Sequence, residues 1–218
     1  MENAMAVAQS SHDGASDPDL KGPLRVAVCG EVSSGKSTVI HAILRDKFIP
    51  DFFGIEGRPL IRYIAGAEKN EITVIYKDGK IKNMKSLARF KPTEGLAEIR
   101  IAKKDPSHFG PIELIEMPPL RDGFVSSEDK DRLEECDAMI WVTIGSQAWR
   151  LSEKTILDDL GEARPPLGML VVSRGDKFRS EADCDRLMER IHREASDYFP
   201  TRLMMHGAPK SIDKAKDD

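Results

Sequence analysis

The residues most able to bind phosphate lie in one short segment of this chain. Gly30, Gly35, Lys36 and Ser37 follow the spacing Gly-x4-Gly-Lys-Ser, in which glycines allow a tight turn and close approach of the backbone to oxygen atoms. Successive N–H groups, a helix start and a lysine place positive charge around an anion, and the serine hydroxyl suits Mg²⁺. The spacing predicts a polyphosphate-binding loop. The alternative is a glycine turn followed by a solvated lysine.

The elements around this loop decide between these interpretations. Residues 24–29 form a β-rich run bounded by Pro23 and Gly30, and residues 37–45 carry apolar side chains at helical spacing. A strand before the loop and a helix after it are the context that a phosphate loop requires. The candidate phosphate-binding residues are Gly30, Glu31, Val32, Ser33, Ser34, Gly35, Lys36, Ser37 and Thr38.

The rest of the chain alternates strand and helix patterns. Further strands are predicted at residues 60–65, 71–77, 98–103, 112–117, 138–143 and 169–173, and further helices at residues 128–136, 152–160 and 181–198. Asp78-Gly79 predicts a hairpin turn. This alternation predicts an α/β fold with a mostly parallel sheet flanked by helices, in which ligands bind beyond the carboxyl ends of the strands.

Composition narrows the class of protein. The chain has 218 residues, a net charge of −4 and a hydrophobic share of 40%, which fits one substantial core. The acidic balance gives no reason to expect nucleic-acid binding. No apolar run reaches the roughly 18 residues that cross a bilayer, and no signal peptide is indicated. We predict a flexible arm over residues 1–22, one domain over residues 23–207, and a flexible tail over residues 208–218.

The cysteine pattern bears on the compartment. Cys29, Cys136 and Cys184 are far apart and show no Cys-x-x-Cys spacing. Such an odd set predicts reduced thiols that serve packing in a cytoplasmic protein, rather than a disulfide or a zinc site.

Two segments resemble a known family. Residues 26–44 read VAVCGEVSSGKSTVIHAIL, and residues 137–142, with the stretch 146–153 after them, resemble a fourth strand and the helix that follows it. Both are similar to the dynamin-like P-loop GTPases, in particular the bacterial ones, which have Asn where this chain has His41. The resemblance implies a three-layer P-loop NTPase fold that binds GTP or GDP with Mg²⁺. It also implies that Lys36 and Ser33 take part at the γ-phosphate.

The base-recognition motif of this family is altered here. It is normally Asn/Thr-Lys-x-Asp, and the matching residues are Ser173, Arg174, Gly175 and Asp176. The resemblance implies that Asp176 accepts hydrogen bonds from guanine and that the Arg174 stem lies along the base. Ser173, Arg174 and Asp176 are therefore candidate nucleotide-binding residues. Turn chemistry alone would also explain these residues.

Two further motifs depart from the family pattern. Where the family has Asp-x-Pro-Gly, this chain has Glu116, Met117, Pro118 and Pro119. Glu116 keeps a carboxylate, so Ser37 and Glu116 are the candidate Mg²⁺ residues. Pro119 has no N–H with which to sense the γ-phosphate.

The family's first switch threonine has no counterpart here. Residues 47–67 contain neither Ser nor Thr. Asp51 and Glu56 are acidic substitutes for it by chemistry, and Arg58 has the charge to supply a cation to the phosphates. Solvated loop residues would look the same.

The function that follows is GTP binding with slow hydrolysis, because the phosphate loop is intact and the switch residues are altered. The alternatives are a nucleotide-binding scaffold or regulatory module without hydrolysis, and a P-loop kinase of a small metabolite. The family also implies a nucleotide-dependent homodimer or another protein partner. Without a stalk or a membrane-contacting segment in this sequence, we do not expect this chain alone to contact membranes directly.

Overall fold

A computed structural model describes most of the predicted domain. The described residues are 22–45, 59–87, 90, 95–104, 110–120 and 125–206. The predicted arm, apart from Gly22, and the predicted tail lie outside them, as do Asp51, Glu56 and Arg58.

Within the described residues, nine strands form one sheet in the order β4-β3-β5-β2-β6-β1-β7-β8-β9. The strands are β1 Leu24–Cys29, β2 Leu60–Ala65, β3 Glu71–Tyr76, β4 Ile81–Met84, β5 Leu96–Lys103, β6 Ile112–Glu116, β7 Ala138–Ile144, β8 Leu167–Ser173 and β9 Thr201–Met204.

The sheet has a parallel half and a mixed half. Strand β1 lies between β6 and β7 in parallel, and β8 and β9 continue this half. Strand β2 is parallel to β5 but antiparallel to β6, and β3 is antiparallel to β4 and to β5. Five of these eight pairings are parallel, so the predicted mostly parallel sheet is confirmed. The three antiparallel pairings all lie among strands β2 to β6. The described residues contain no helix between these consecutive strands.

Four helices flank the sheet in the described part of the chain: α1 Lys36–Leu44, α2 Ser127–Glu134, α3 Leu151–Leu160 and α4 Glu181–Glu194. Buried side chains of α2, α3 and α4, including Leu133, Ile156 and Ile191, pack on one face of the sheet. Val39 and Ile40 of α1 pack on the other. The helices and the sheet therefore form three layers.

Local signals explain where the helices begin. Ser180 precedes α4, and its Oγ accepts a hydrogen bond from the Asp183 N–H at 3.2 Å, which satisfies one of the open N–H groups of the first turn. Ser126 does the same for α2 through Asp129 at 3.1 Å. Helix α4 ends at Glu194, four residues before the predicted end.

The described helices are too short or too polar to span a lipid bilayer.

Candidate functional site

The phosphate loop follows β1 and passes close to the backbone of β7. Gly30 has φ +145°, and a Cβ atom added there would lie 2.3 Å from the carbonyl oxygen of Val142. Gly35 has φ +101° immediately before α1, and a Cβ added to it would lie 3.3 Å from side-chain atoms of Ser173. Only glycine combines this backbone with this close approach. Both glycines of the spacing are thus required by geometry.

Lys36 is held by the loop that precedes it. Its side chain is 4% exposed, and Nζ donates hydrogen bonds to the Gly30 and Glu31 carbonyl oxygens, each at 2.9 Å. The ammonium group is therefore fixed over the loop instead of extending into solvent. The solvated-lysine alternative is wrong.

Ser37 and Glu116 meet at the carboxyl edge of the sheet. The Ser37 Oγ donates to Glu116 Oε1 at 2.9 Å, although the two residues are far apart in the sequence. Strand register brings them together, because Glu116 at the end of β6 pairs with Val28 just before the loop. Glu116 is 1% exposed. A hydroxyl next to a carboxylate at this edge is a suitable oxygen donor set for Mg²⁺.

The predicted base-recognition motif, residues 173–176, is attached to the phosphate loop. Ser173, the last residue of β8, donates its hydroxyl to the Ser34 carbonyl oxygen at 2.5 Å. Arg174, with φ +61°, donates from Nη2 to the Ser33 carbonyl oxygen at 3.2 Å. The two motifs predicted from separate parts of the sequence therefore form one surface.

Asp176 lies in a short 3-10 turn, Gly175–Lys177, next to that surface. Its side chain is partly exposed and lies 3.3 Å from Lys177 Nζ. The turn is fixed by the chain that follows β9, because the Gly175 N–H donates to the Met205 carbonyl oxygen at 3.0 Å. A Cβ at Gly175 would lie 3.0 Å from His206 Cε1. The segment after β9 thus borders the motif, and no pattern in the sequence indicated this role.

Glu31 has partners that its position in the motif did not reveal. Its carboxylate accepts a hydrogen bond from Ser152 Oγ at 2.6 Å and lies 2.8 Å from Arg150 Nη2. Both partners come from the start of α3. The spacing Gly-x4-Gly-Lys-Ser gives no signal for this contact, since the position of Glu31 in it accepts any residue.

Glu153 follows Ser152 in the first turn of α3. Its carboxylate is buried and accepts hydrogen bonds from Trp141 Nε1 at 3.0 Å, Thr143 Oγ1 at 3.0 Å and the Arg150 N–H at 2.9 Å. Burial raises the pKa of Glu153 above its ordinary value, and the three donors oppose that shift. The carboxylate joins β7 to the first turn of α3.

The remaining predicted residues lie close to those already described. Val32, Ser33, Ser34 and Thr38 lie in the loop or the first turn of α1, and Ser33 is exposed with φ +58°. The Ser34 side chain is buried. Within the described residues, no group of three or more His, Cys, Asp and Glu side chains is arranged to hold a metal ion.

Comparison with known proteins agrees with this arrangement. Residues 26–174 match the sequence profile of the dynamin family. A structure of an oligomerised bacterial dynamin pair covers 90% of this chain with 34% of its own, at 14% identity and a TM-score of 0.64. A second structure of such a pair covers 90% of this chain with 33% of its own, at 16% identity and a TM-score of 0.63. No curated protein matches the chain.

This chain thus spans about a third of the length of the bacterial dynamins it matches. The sheet with a glycine loop between its central strand and α1, enclosed by helices on both faces, is the three-layer P-loop NTPase fold. Because the family profile covers well over half of its residues, the chain belongs to the dynamin family, with residues 26–174 in the family's G domain.

Proposed function

We propose that this chain binds GTP and GDP with Mg²⁺ and hydrolyses GTP slowly. The observation that carries this proposal is the attachment of the base-recognition motif to the phosphate loop. Two hydrogen bonds, from Ser173 to Ser34 and from Arg174 to Ser33, bring these motifs side by side. A purine nucleotide needs this pairing of a phosphate site with a base site.

Each part of the site has a role in this proposal. The loop amides and the start of α1 supply partial positive charge to the phosphates, and Lys36 adds a full charge. Ser37 and Glu116 would hold Mg²⁺, which compensates charge on the β- and γ-phosphate oxygens when bound. Asp176 offers two carboxylate oxygens to the adjacent N–H groups of guanine, whereas adenine has no such pair at that edge.

Slow hydrolysis follows from Pro119. A backbone N–H at this position would donate to the γ-phosphate, and proline has none. Losing one preorganised donor to developing charge typically costs about 2.7–4 kcal/mol in activation free energy. Ser33, beside the expected γ-phosphate position, would supply only part of this stabilisation.

Pro119 also favours a second candidate function, a nucleotide-binding module that acts as a scaffold or regulator without hydrolysis. No observation among the described residues favours the small-molecule kinase.

Titration calorimetry with GTP, GDP and ATP in the presence of Mg²⁺ tests the binding proposal. We expect guanine nucleotides to bind at least about tenfold more tightly than ATP, Lys36→Ala to lose binding, and Asp176→Asn to lose the preference for guanine. Asp185→Asn, a change at an exposed residue of α4, is the matched control.

Single-turnover hydrolysis then separates the two candidates. A slow reaction that Lys36→Ala abolishes supports the GTPase, and equal rates for the wild type and that variant support the non-hydrolysing module. Equal affinities for ATP and GTP would contradict the role of Asp176.

The assembly state is a further part of the proposal. The matching bacterial dynamins form an oligomerised pair, and we propose a nucleotide-dependent homodimer, or pairing with another protein, for this chain in the cytoplasm. Nothing in the acidic composition favours a nucleic-acid partner.

A further inference from the structure

The phosphate loop contains a negative charge of its own. Glu31 is the second residue of the loop, and its side chain is 19% exposed. A nucleoside triphosphate brings several further negative charges to the same loop, and like charges in a partly buried site repel each other strongly. Binding therefore depends on what compensates Glu31.

Two side chains from the start of α3 surround this carboxylate. Arg150 Nη2 lies 2.8 Å from Oε2, and Ser152 Oγ donates to Oε1 at 2.6 Å. Each carboxylate oxygen thus has its own donor. The arginine also supplies the opposite charge, and a charge-assisted contact at this distance is among the stronger types of hydrogen bond.

Glu31 also links its partners Arg150 and Ser152 to Lys36. The Glu31 carbonyl oxygen accepts a hydrogen bond from Lys36 Nζ at 2.9 Å, while the Glu31 side chain is held by Arg150 and Ser152. The residue whose carbonyl group orients the lysine is therefore also held through its side chain. The backbone of Arg150 is held in turn, because its N–H donates to the buried Glu153 at 2.9 Å.

We propose that Arg150 and Ser152 are positioning residues for nucleotide binding, which neutralise and orient the Glu31 carboxylate so that the phosphate loop stays attractive to polyphosphate. This inference rests on the proposed nucleotide binding. Arg150 carries the electrostatic part, and Ser152 fixes the carboxylate rotamer.

A double-mutant cycle on GDP affinity tests the proposal. Titration calorimetry with GDP and Mg²⁺ compares the wild type, Arg150→Ala, Glu31→Gln and the double variant at low salt. We expect Arg150→Ala to weaken GDP binding by about threefold to tenfold when Glu31 is present. In the Glu31→Gln background the same change should cost less than about twofold, because no uncompensated carboxylate remains.

Two further measurements separate charge from structure. Arg150→Lys keeps the charge and should restore most of the affinity, and added salt should reduce the effect of Arg150→Ala by screening the carboxylate. Arg193→Ala, at an exposed position of α4, is the control, and thermal unfolding without nucleotide measures any loss of folding.

The outcomes are distinct. Equal losses in both backgrounds would show a purely structural role and overturn the inference, as would unchanged affinity in Arg150→Ala while the wild type binds GDP. A wild-type chain that binds no GDP and no GTP would instead overturn the proposed function, and this inference with it.

Discussion

The α-carbon of Gly30 faces the Val142 carbonyl oxygen, where the phosphate loop leaves β1 and crosses the adjacent strand. A Cβ there would lie 2.3 Å from that oxygen and 2.7 Å from Ser34 Oγ, and φ is +145°. The nearest atom belongs to the backbone of a central strand, which cannot move without breaking ladder hydrogen bonds. Close approach, more than conformational freedom, is therefore the reason for glycine at this position.

We expect Gly30→Ala to lower the free energy of unfolding by about 2–4 kcal/mol, because the clash adds to an unfavourable φ. Urea denaturation measures this change. Gly79→Ala is the control, since Gly79 also has a positive φ of +83°, but a Cβ added to it would meet no atom within 4 Å. Its cost should be about 1 kcal/mol. Equal costs at the two positions would show that the contact with Val142 does not matter.

The contacts of individual residues could be predicted from the sequence only where a motif fixes the residue types. The Gly-x4-Gly-Lys-Ser spacing predicted the loop and Lys36 from the sequence, because tight turns around phosphate demand those residue types. The contact of Glu31 with Arg150 joins residues far apart in the chain, and it depends on how α3 packs beside the loop. A pattern within one segment cannot report such a contact.

A buried carboxylate, that of Glu153, binds the backbone at the start of helix α3. Glu153 lies in the first turn, and its oxygens accept hydrogen bonds from Trp141, Thr143 and the Arg150 N–H. A negative charge near a helix N-terminus is favourable, yet burial is unfavourable for the charged form and raises the pKa of this carboxyl group.

Because the pKa of Glu153 is raised in the folded chain, the free energy of unfolding should depend on pH. In the folded chain Glu153 keeps its proton above its ordinary pKa of 4.5, so unfolding releases that proton over the range between the unfolded and folded pKa values. The free energy of unfolding should fall as pH rises through this range. Glu153→Gln lacks the titration, so its stability relative to the wild type should increase with pH.

Urea denaturation at several pH values from about 4 to about 7 measures this difference. Glu189→Gln, an exposed site on α4, serves as the control. A constant difference between Glu153→Gln and the wild type across the range would contradict the raised pKa.

Most elements were predictable from periodicity, within a few residues at each end. Strand β9, Thr201–Met204, was not, because four residues without clear alternation give too little pattern. Among the described residues, it is held in the sheet by pairing with β8. The antiparallel pairing of β2 with β6 was likewise hidden, since strand direction is set by connections that the sequence pattern does not specify.

On the scale of the whole molecule, helices cover the two faces of the sheet unequally in the part of the chain that the structure describes. Three described helices pack on one face and one on the other. A groove of about 320 Å³ lies beside α1, lined mainly by apolar side chains that include Ile43, Met169 and Leu203.

Cys29 and Cys136 belong to the core on the more covered face, whereas Cys184 is half-buried on α4.

Thiol reactivity should therefore report the integrity of the fold. Burial raises the pKa of Cys29 and raises the pKa of Cys136 to about 11. Because only the thiolate reacts, both thiols should react slowly. In a titration with a thiol-reactive dye, we expect Cys184 to react in the native chain and the other two at least about tenfold more slowly. All three should react after denaturation.

Cys184→Ser is the variant that checks this assignment, and it should abolish the fast phase. Fast modification of two or more thiols in the native wild type would contradict the observed packing.

The hydroxyl of Ser173 joins the part of the site that would recognise a base to the part that would hold phosphates. A ligand that orders one half must then restrict the motion of the other, and such coupling is reciprocal by thermodynamic necessity. If the chain binds guanine nucleotides as proposed, selection among purines and affinity for the polyphosphate are then linked through this hydrogen bond.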